Sequence, residues 1–181
     1  MNIYAKNIFI SFGAMGSNGE NREYYLDNND ELSFGNIQAT SVFVALGTEI
    51  EFDNENLRIE PTLGYRLYNI ESYFYKTRYI ELPLLYKFFL GGQQISVGPN
   101  YKIFYNSDIT DSYQTYSTNG SKVNSAYGFK VLFEYQYVDL LVSYEYLTEK
   151  VNFFGYNGST VVDGYLDMRG SYVGYGIRFK Y

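Results

Sequence analysis

The sequence ends in VGYGIRFKY at residues 173–181, and in this stretch two kinds of side chain alternate without a break. The odd-numbered positions are apolar or aromatic, whereas the even-numbered positions are glycine, arginine and lysine. A period of two places the two kinds on opposite faces of a β-strand, while a helix would mix them. The stretch therefore predicts a strand with one apolar face and one face of small and charged side chains.

The same alternation recurs in segments upstream. Their apolar phase contains no charged residue, although 19% of the chain is charged. The first segment is the weakest, because it is short and Lys6 lies in the apolar phase near its start. With the C-terminal stretch included, the predicted strands cover residues 8–12, 42–52, 57–67, 80–88, 95–105, 127–135, 138–146 and 173–181.

The spacers between these strands alternate in length. The short spacers are Asp53–Asn56, Gly91-Gly92 and Gln136-Tyr137, and the long ones are residues 14–36, 106–124 and 148–170. Short turns at one end and long loops at the other are typical of bacterial outer-membrane barrels. The pattern predicts an all-β fold, in which residues 1–181 form one eight-stranded antiparallel up-and-down transmembrane β-barrel. We expect short periplasmic turns, long extracellular loops and periplasmic termini.

Each long spacer contains an Asn-Gly dipeptide, at residues 18–19, 119–120 and 157–158. This dipeptide accepts the positive φ of a tight turn, so we expect these positions at loop tips. Pro61, Pro83 and Pro99 instead fall inside predicted strands, where each removes a hydrogen-bond donor from the ladder. A closed barrel has no edge strand to hold a proline, so we expect a β-bulge at these positions.

A soluble lipocalin-like barrel with its apolar face inward is the alternative reading of the same strands. Side-chain volume argues against it, because the lumen of an eight-stranded barrel is only just wide enough for side chains to fill it. The apolar face is bulky, whereas the charged face holds small residues at Ala45, Gly47, Gly64, Gly98, Gly128, Gly174 and Gly176. The bulky face is therefore predicted to meet lipid, with interfacial tyrosines at Tyr86, Tyr135 and Tyr181 on one rim and Tyr105, Tyr127 and Tyr146 on the other.

Composition limits the function. The net charge of −6 disfavours a nucleic-acid partner, which calls for a basic surface. The chain has no histidine to act as a general base, and none of its serines lies in a nucleophile motif, so we expect no enzymatic activity and no cofactor. It starts at Met1-Asn2-Ile3 without a signal-peptide pattern, which we interpret as a mature form whose leader was removed.

The predicted inward face carries equal numbers of basic and acidic residues. Buried charges are costly unless they are paired, so this balance predicts a lumen closed by salt bridges. Arg66, Glu81, Lys102 and Glu145 lie at similar distances from the short turns and are expected to meet. The predicted lumen network comprises Glu49, Glu60, Arg66, Glu81, Lys102, Lys130, Glu145 and Arg178, and the remaining inward charges are Glu51, Arg58, Lys87, Glu134, Asp139 and Lys180.

The long spacers hold weaker candidates for binding. Exposed tyrosines are frequent interface anchors, so Tyr24, Tyr25, Tyr113 and Tyr116 are candidates for contact with a protein partner. Asp27, Asp30 and Glu31 offer oxygen ligands of the kind Ca²⁺ prefers, but their spacing matches no EF-hand, and a solvated acidic loop is the simpler interpretation.

Residues 79–87, YIELPLLYK, followed by a glycine turn and Val97-Gly98-Pro99, resemble an outer-membrane β-barrel family common in Bacteroidota. The C-terminal pattern of Tyr175, Ile177, Phe179 and Tyr181 is similar to the signature read by the barrel-assembly machinery. The overall plan resembles the small OmpA and OmpX type of barrel. This resemblance implies contact with outer-membrane lipid and lipopolysaccharide and a structural or adhesive role. It leaves open a narrow pore or an accessory subunit of a transport, secretion or assembly complex.

Overall fold

The computed structural model describes residues 3–17, 22–26, 30–34, 39–52, 56–70, 73–110, 115–117, 125–148, 150–157 and 160–181. Their regular structure is antiparallel β. No helix among these residues is long and apolar enough to cross a membrane. The strands are β1 (Ile3–Ser17), β2 (Arg22–Leu26), β3 (Asp30–Phe34), β4 (Thr40–Phe52), β5 (Leu57–Ile59), β6 (Thr62–Ile70), β7 (Tyr73–Leu90), β8 (Gln93–Thr110), β9 (Thr115–Ser117), β10 (Ser125–Glu134), β11 (Val138–Leu147), β12 (Lys150–Asn157), β13 (Thr160–Asp167) and β14 (Gly170–Lys180).

Eight antiparallel strands, hydrogen-bonded in a closed ring, form the wall of the barrel. β1 pairs with both β14 and β4, and the ring continues through β7, β8, β10 and β11 back to β14. β5 and β6 act as one wall strand between β4 and β7, interrupted at residues 60 and 61. If each residue is followed to its cross-strand partner once around the ring, the path returns to β1 about ten residues from where it began. Such a stagger requires strands that are strongly tilted relative to the barrel axis. The predicted eight-stranded barrel is confirmed.

The two faces of the wall match the predicted alternation. Most residues of the apolar phase are exposed on the outside, from Val42 and Leu46 on β4 to Tyr175 on β14, which is 72% exposed. Ile95 departs from the pattern and is buried, between Phe88 and Phe133 on the neighbouring strands. The inward phase holds the charged residues. This arrangement is inverted relative to a soluble barrel, because the apolar side chains lie outside.

Two of the predicted short turns are present at one end of the barrel. Gly91 and Gly92 connect Leu90 to Gln93 with φ values of 58° and 84°, which glycine adopts without strain. At the second turn, Tyr135 N–H donates to the carbonyl of Val138. Most of the Asp53–Asn56 turn lies outside the described residues. This end, which also holds the C-terminus, is called the turn end, and the opposite end is called the hairpin end.

The long spacers contain further strands that the sequence pattern did not predict. β1 continues to Ser17 and β8 to Thr110, while β2–β3 and β12–β13 form hairpins. These hairpins and β9 pair side by side in the order β8-β9-β12-β13-β2-β3, so strands from different spacers form one sheet. Asn157, at the end of β12, pairs with Thr160, whereas residues 158–159, 18–19 and 119–120 lie outside the described residues.

The expected bulges at the prolines are wrong. Register shifts occur at two other places, between Ala5 and Ile8 and between Lys76 and Arg78. Pro83 and Pro99 pair in continuous register, while Pro61 lies in the gap between β5 and β6. Each proline leaves out the one hydrogen bond that its missing N–H would donate. The proline carbonyl can still accept a hydrogen bond, so the strand keeps its register. Pro83 O accepts from Glu60 N–H, and Pro61 O accepts from Thr48 N–H.

The bulge near the start of β1 explains the position of Lys6. An extra residue reverses the inside and outside phase of the strand. Lys6 lies within the bulge, between Ala5 and Ile8, and pairs with the inward Glu51 at 3.2 Å, whereas Ile8 downstream begins the apolar phase. The apparent defect in the sequence pattern is therefore a change of phase.

The outward face generates a test on β11. Val142 is 41% exposed in the middle of the strand, and Val138 starts the same strand on the same face. Val142→Arg should lower the unfolding free energy in bilayers by about 2–4 kcal/mol, because it places a charge in hydrocarbon, while Val138→Arg near the interface should cost about 0–1 kcal/mol. Denaturant titration of both variants in lipid vesicles measures this difference. Equal losses for the two positions would contradict the assigned membrane depth.

Candidate functional site in the barrel lumen

The lumen near the turn end is bridged by two arginines. Arg178 on β14 contacts Glu60 at 2.6 Å, Glu49 at 2.8 Å and the carboxylate of Asp139. Arg58 on β5 contacts Glu60 at 2.9 Å and Glu134 at 2.7 Å. All six side chains are buried. They come from five wall strands, because Arg58 and Glu60 share one, and the pairs Arg178–Glu60 and Arg58–Glu134 span the lumen. We call these residues the turn-end cluster.

Two lysines add ion pairs at this end of the lumen, and Lys180 offsets part of the carboxylate excess of the cluster. Lys180 lies 2.8 Å from the second oxygen of Asp139, and Lys87 lies 3.0 Å from Glu51. Carboxylate oxygens of Glu49, Glu134 and Asp139 come within 4.8 Å of one another. Each of the three already contacts Arg58 or Arg178. The arginines thus occupy the position that a cation would need.

A second group, the mid-lumen cluster, lies further toward the hairpin end. Arg66 donates to both oxygens of Glu145, at 2.7 and 3.1 Å, and Lys102 also donates to Glu145. Glu81 contacts Lys130 at 2.8 Å and Lys102 at 3.9 Å. Here three cations face two carboxylates, whereas in the turn-end cluster carboxylates outnumber arginines. The two clusters carry charge excesses of opposite sign along one narrow lumen.

Aromatic rings surround the Arg66 guanidinium. The rings of Phe43, Tyr68, Tyr79 and Phe104 lie 5.5–5.8 Å from its central carbon. Lys102 Nζ lies 4.5 Å from the centre of the Tyr79 ring. Cations over aromatic faces are stabilised further when water is excluded. The mid-lumen cations are thus held by ring faces as well as by carboxylates.

An aromatic layer closes the lumen toward the hairpin end. The Tyr68 ring lies 5.4 Å from the ring of Tyr75 and 5.8 Å from that of Tyr172. Their hydroxyl groups are satisfied within the protein: Tyr172 donates to the carbonyl of Met168, and Tyr75 donates to Ser107. The sequence pattern did not single out this layer, because Tyr68, Tyr75 and Tyr172 lie outside the predicted strands 57–67, 80–88 and 173–181, which are longer in the structure. Continuing the inward phase of the first and last of these strands by one residue would have reached Tyr68 and Tyr172.

Inward glycines make room for these rings. Gly64 pairs directly with Tyr79, and a Cβ added at Gly64 would collide with the Tyr79 ring. The pairs Gly47 with Phe9 and Gly13 with Phe43 repeat the arrangement. In these three pairs the aromatic ring lies over a cross-strand glycine, which helps large side chains to fit inside an eight-stranded barrel.

Little space remains in the middle of the lumen. A cavity of about 10 Å³ lies among Ser11, Thr62, Ser143 and the mid-lumen cluster, which is about the room one water molecule needs. At the turn end a wider recess of about 560 Å³ is lined by Lys6, Glu51, Tyr135, Tyr137, Lys180 and Tyr181, and it reaches Glu49, Arg58 and Glu134. The recess ends at the turn-end cluster.

The eight residues predicted for the lumen network are all buried, and the structure brings them together in two clusters rather than one. Arg66, Glu81, Lys102 and Glu145 meet as expected. The predicted network omitted Arg58, Glu134 and Asp139, which were known to share the inward phase but whose central position depends on the stagger. The C-terminal residues Tyr175, Ile177, Phe179 and Tyr181 are exposed on the outer face.

For most of the binding candidates in the long spacers, the structure describes the backbone but not the side chain. Tyr24 and Tyr25 lie in β2, Tyr116 lies in β9, and Asp30 and Glu31 lie in β3. Their side chains lie outside the described part of the structure, as do Tyr113 and Asp27 entirely. Protein contact and Ca²⁺ binding through these residues stay predictions.

Comparison with known proteins identifies the fold. The sequence matches no protein-family profile and no curated protein. The structure is similar to that of Neisserial surface protein A (NspA), with a TM-score of 0.50 and 15% identity over 98% of this chain and 99% of that one. The outer membrane protein OprG from Pseudomonas aeruginosa aligns with a TM-score of 0.48 and 12% identity over 98% and 96% of the two chains. The fold is that of the small outer-membrane β-barrels.

The mid-lumen cluster generates a mutant cycle. Glu145→Gln leaves Arg66 and Lys102 without their shared carboxylate and should lower the unfolding free energy by about 3–5 kcal/mol. Lys102→Met alone should cost less, because Arg66 still pairs with Glu145 and Lys130 with Glu81. Adding Lys102→Met to Glu145→Gln should recover part of the loss, because it removes one uncompensated cation.

Equilibrium unfolding in micelles or vesicles measures the four proteins of this cycle. The control is Lys6→Met, which breaks the exposed pair with Glu51 and should cost less than about 1 kcal/mol. Additive losses in the double variant would show that these charges do not act as a network.

Proposed function

We propose that this protein is a non-enzymatic structural barrel of a bacterial outer membrane, with its turn end in the periplasm and its lumen closed to ions by charge pairs. The observation that carries the proposal is Arg178, which joins carboxylates from β4, the gap after β5, and β11 across the lumen. Ions crossing the barrel would have to separate these pairs. The aromatic layer around Tyr68 lies further along the same path.

The outer-membrane location is supported by the exposed apolar belt and by the fold. Eight strands with a lipid-facing exterior leave no unpaired edge in the hydrocarbon region, as a membrane requires. The exposed C-terminal alternation ending in Tyr181 agrees with recognition by the barrel-assembly machinery. The YIELPLLYK resemblance favours an origin among Bacteroidota and an OmpA-like or OmpX-like subtype. The hairpin-end sheet is the natural surface for adhesion or for a protein partner.

The second candidate is a narrow pore or an accessory subunit of a transport complex. The observation that favours a pore is the recess of about 560 Å³ at the turn end, which leads to Glu49, Arg58 and Glu134. Movement of Arg58 or Arg178 would extend this recess inward. The two functions differ in whether the resting barrel conducts.

Planar-bilayer recording separates these functions. The wild-type barrel should pass almost no current, and Arg178→Ala should raise the conductance, because it removes the cation that joins three carboxylates. Arg169→Ala is the control, since Arg169 pairs with Asp167 at the hairpin end. Only protein that keeps its folded mobility on unheated gels is recorded. A large, steady wild-type conductance would replace the structural proposal with the pore.

The orientation is tested by cysteine labelling, because the chain contains no cysteine. Asp108→Cys near the hairpin end should react with a membrane-impermeant maleimide in intact cells. Gln136→Cys in a turn-end connection should react only after the outer membrane is opened. Both positions are exposed, so accessibility on the protein is matched. The reverse pattern would place the turn end outside, and a protein that needs no detergent would support the soluble barrel instead.

A further inference from the structure

The outer face of β7 changes character over three successive outward positions. Ile80, Arg78 and Lys76 follow one another toward the hairpin end, and each has a neighbour on β6 and on β8. Ile80 lies between apolar residues, Arg78 between tyrosines, and Lys76 between an apolar and an acidic residue. The neighbours are Leu63 and Ile103, Tyr65 and Tyr105, and Leu67 and Asp108, respectively. The outer surface of the barrel thus changes from apolar at Ile80 to cationic at Arg78 and Lys76.

The height of Arg78 matches the edge of the hydrocarbon. Phe88 lies near the opposite end of the same face of β7. Between Phe88 and Arg78 the strand rises roughly 25 Å, given about 3.3 Å per residue and a tilt of about 40°. This rise equals the usual height of a lipid-facing apolar band. Arg78 therefore lies where acyl chains give way to headgroups, flanked by two exposed tyrosines that prefer this interface.

Arg78 and Lys76 are not neutralised by the described part of the chain. Neither forms an ion pair with a described carboxylate, whereas the exposed cations Lys6 and Arg169 pair with Glu51 and Asp167. The Arg78 side chain is exposed, and Lys76 is half-buried. A guanidinium directed toward lipid headgroups, beside a lysine, provides a forked donor and a point charge for a phosphate.

The neighbouring bulge adds polar groups to this place. The register shifts between Lys76 and Arg78, and the opposing Asn106 on β8 has a φ of 49°. The bulge leaves Tyr105 and Asn106 exposed in succession, while Ser107 bonds to Thr77 and Tyr75. The Asn106 amide, the tyrosine hydroxyls and the Asp108 carboxylate offer hydrogen bonds suited to sugar hydroxyls.

We propose that Lys76 and Arg78, with Tyr65, Tyr105 and Asn106, form a binding site for a phosphorylated glycolipid of the outer leaflet, the lipid A part of lipopolysaccharide. Its phosphate binds the two cations, its sugar contacts the polar groups of the bulge, and its acyl chains lie along Ile80, Leu63 and Ile103. The inference rests on the orientation given under Proposed function, because the hairpin end must face outward. It does not depend on a closed lumen.

The test measures lipid binding to the detergent-solubilised barrel by native mass spectrometry. The probes are lipid A, dephosphorylated lipid A and phosphatidylglycerol. Lipid A should bind the wild type most tightly, and the double variant Lys76→Gln/Arg78→Gln should lose about tenfold in affinity, because the charge-assisted contacts are gone. Arg78→Lys should fall between them, because it keeps the charge and loses the fork.

The matched control is Lys6→Gln/Arg169→Gln, which removes the same charge at exposed positions away from the proposed site and should leave lipid A affinity unchanged. Gel mobility of unheated samples confirms that each variant is folded. Unchanged lipid A binding by the Lys76/Arg78 variant, or equal binding of dephosphorylated lipid A, would overturn the site. Equal binding of phosphatidylglycerol with the same dependence on Arg78 would overturn the glycolipid assignment. The lipid assay does not measure conductance, so its failure is distinguishable from failure of the closed-lumen proposal.

Discussion

Backbone closure between the first and last strands of the ring is the constraint on which the other features depend. Ile8 and Tyr181 exchange backbone hydrogen bonds of 3.3 and 2.9 Å where β1 meets β14. In a bilayer no water can satisfy an open sheet edge, so the ring must close for the apolar face to meet lipid. Closure with eight strands in turn sets a narrow lumen. Every inward side chain must then find both space and a partner within that lumen.

The lumen meets these two demands by different means. Space comes from placing glycine opposite an aromatic ring, as in Gly64 with Tyr79. The ring on one strand then occupies the volume that a side chain on the neighbouring strand would fill. Partners come from across the barrel, as in Arg66 with Glu145 and Arg178 with Glu60. Because removing charges from water is costly, such pairs need good geometry and further hydrogen bonds. The bidentate Arg66–Glu145 contact inside its ring of aromatic faces satisfies that requirement.

On the exterior, the type of residue varies with its depth in the membrane. The middle of the wall is largely aliphatic, tyrosines lie toward its edges, and two cations that form no ion pair with a described carboxylate occur on β7 where the belt ends. Two bulges adjust this pattern locally. One at Lys6 changes the phase of β1, and one at Asn106 opens a polar place beside Arg78. Structural closure and lipid contact are thus encoded on opposite faces of the same strands.

The sequence by itself determined the class of fold, the eight wall strands and the side of each strand that faces lipid, because a period-two pattern is local and each strand carries it independently. It also placed the charges inside. Only the tertiary structure decided which charges meet, since Arg66 and Glu145 lie on distant strands whose relative height depends on the stagger. The same holds for β12 and β13, which the sequence pattern left within one long spacer and which pair with each other and with β9 and β2 from other spacers. Pairing partners and stagger are properties of the closed ring, and no single strand contains them.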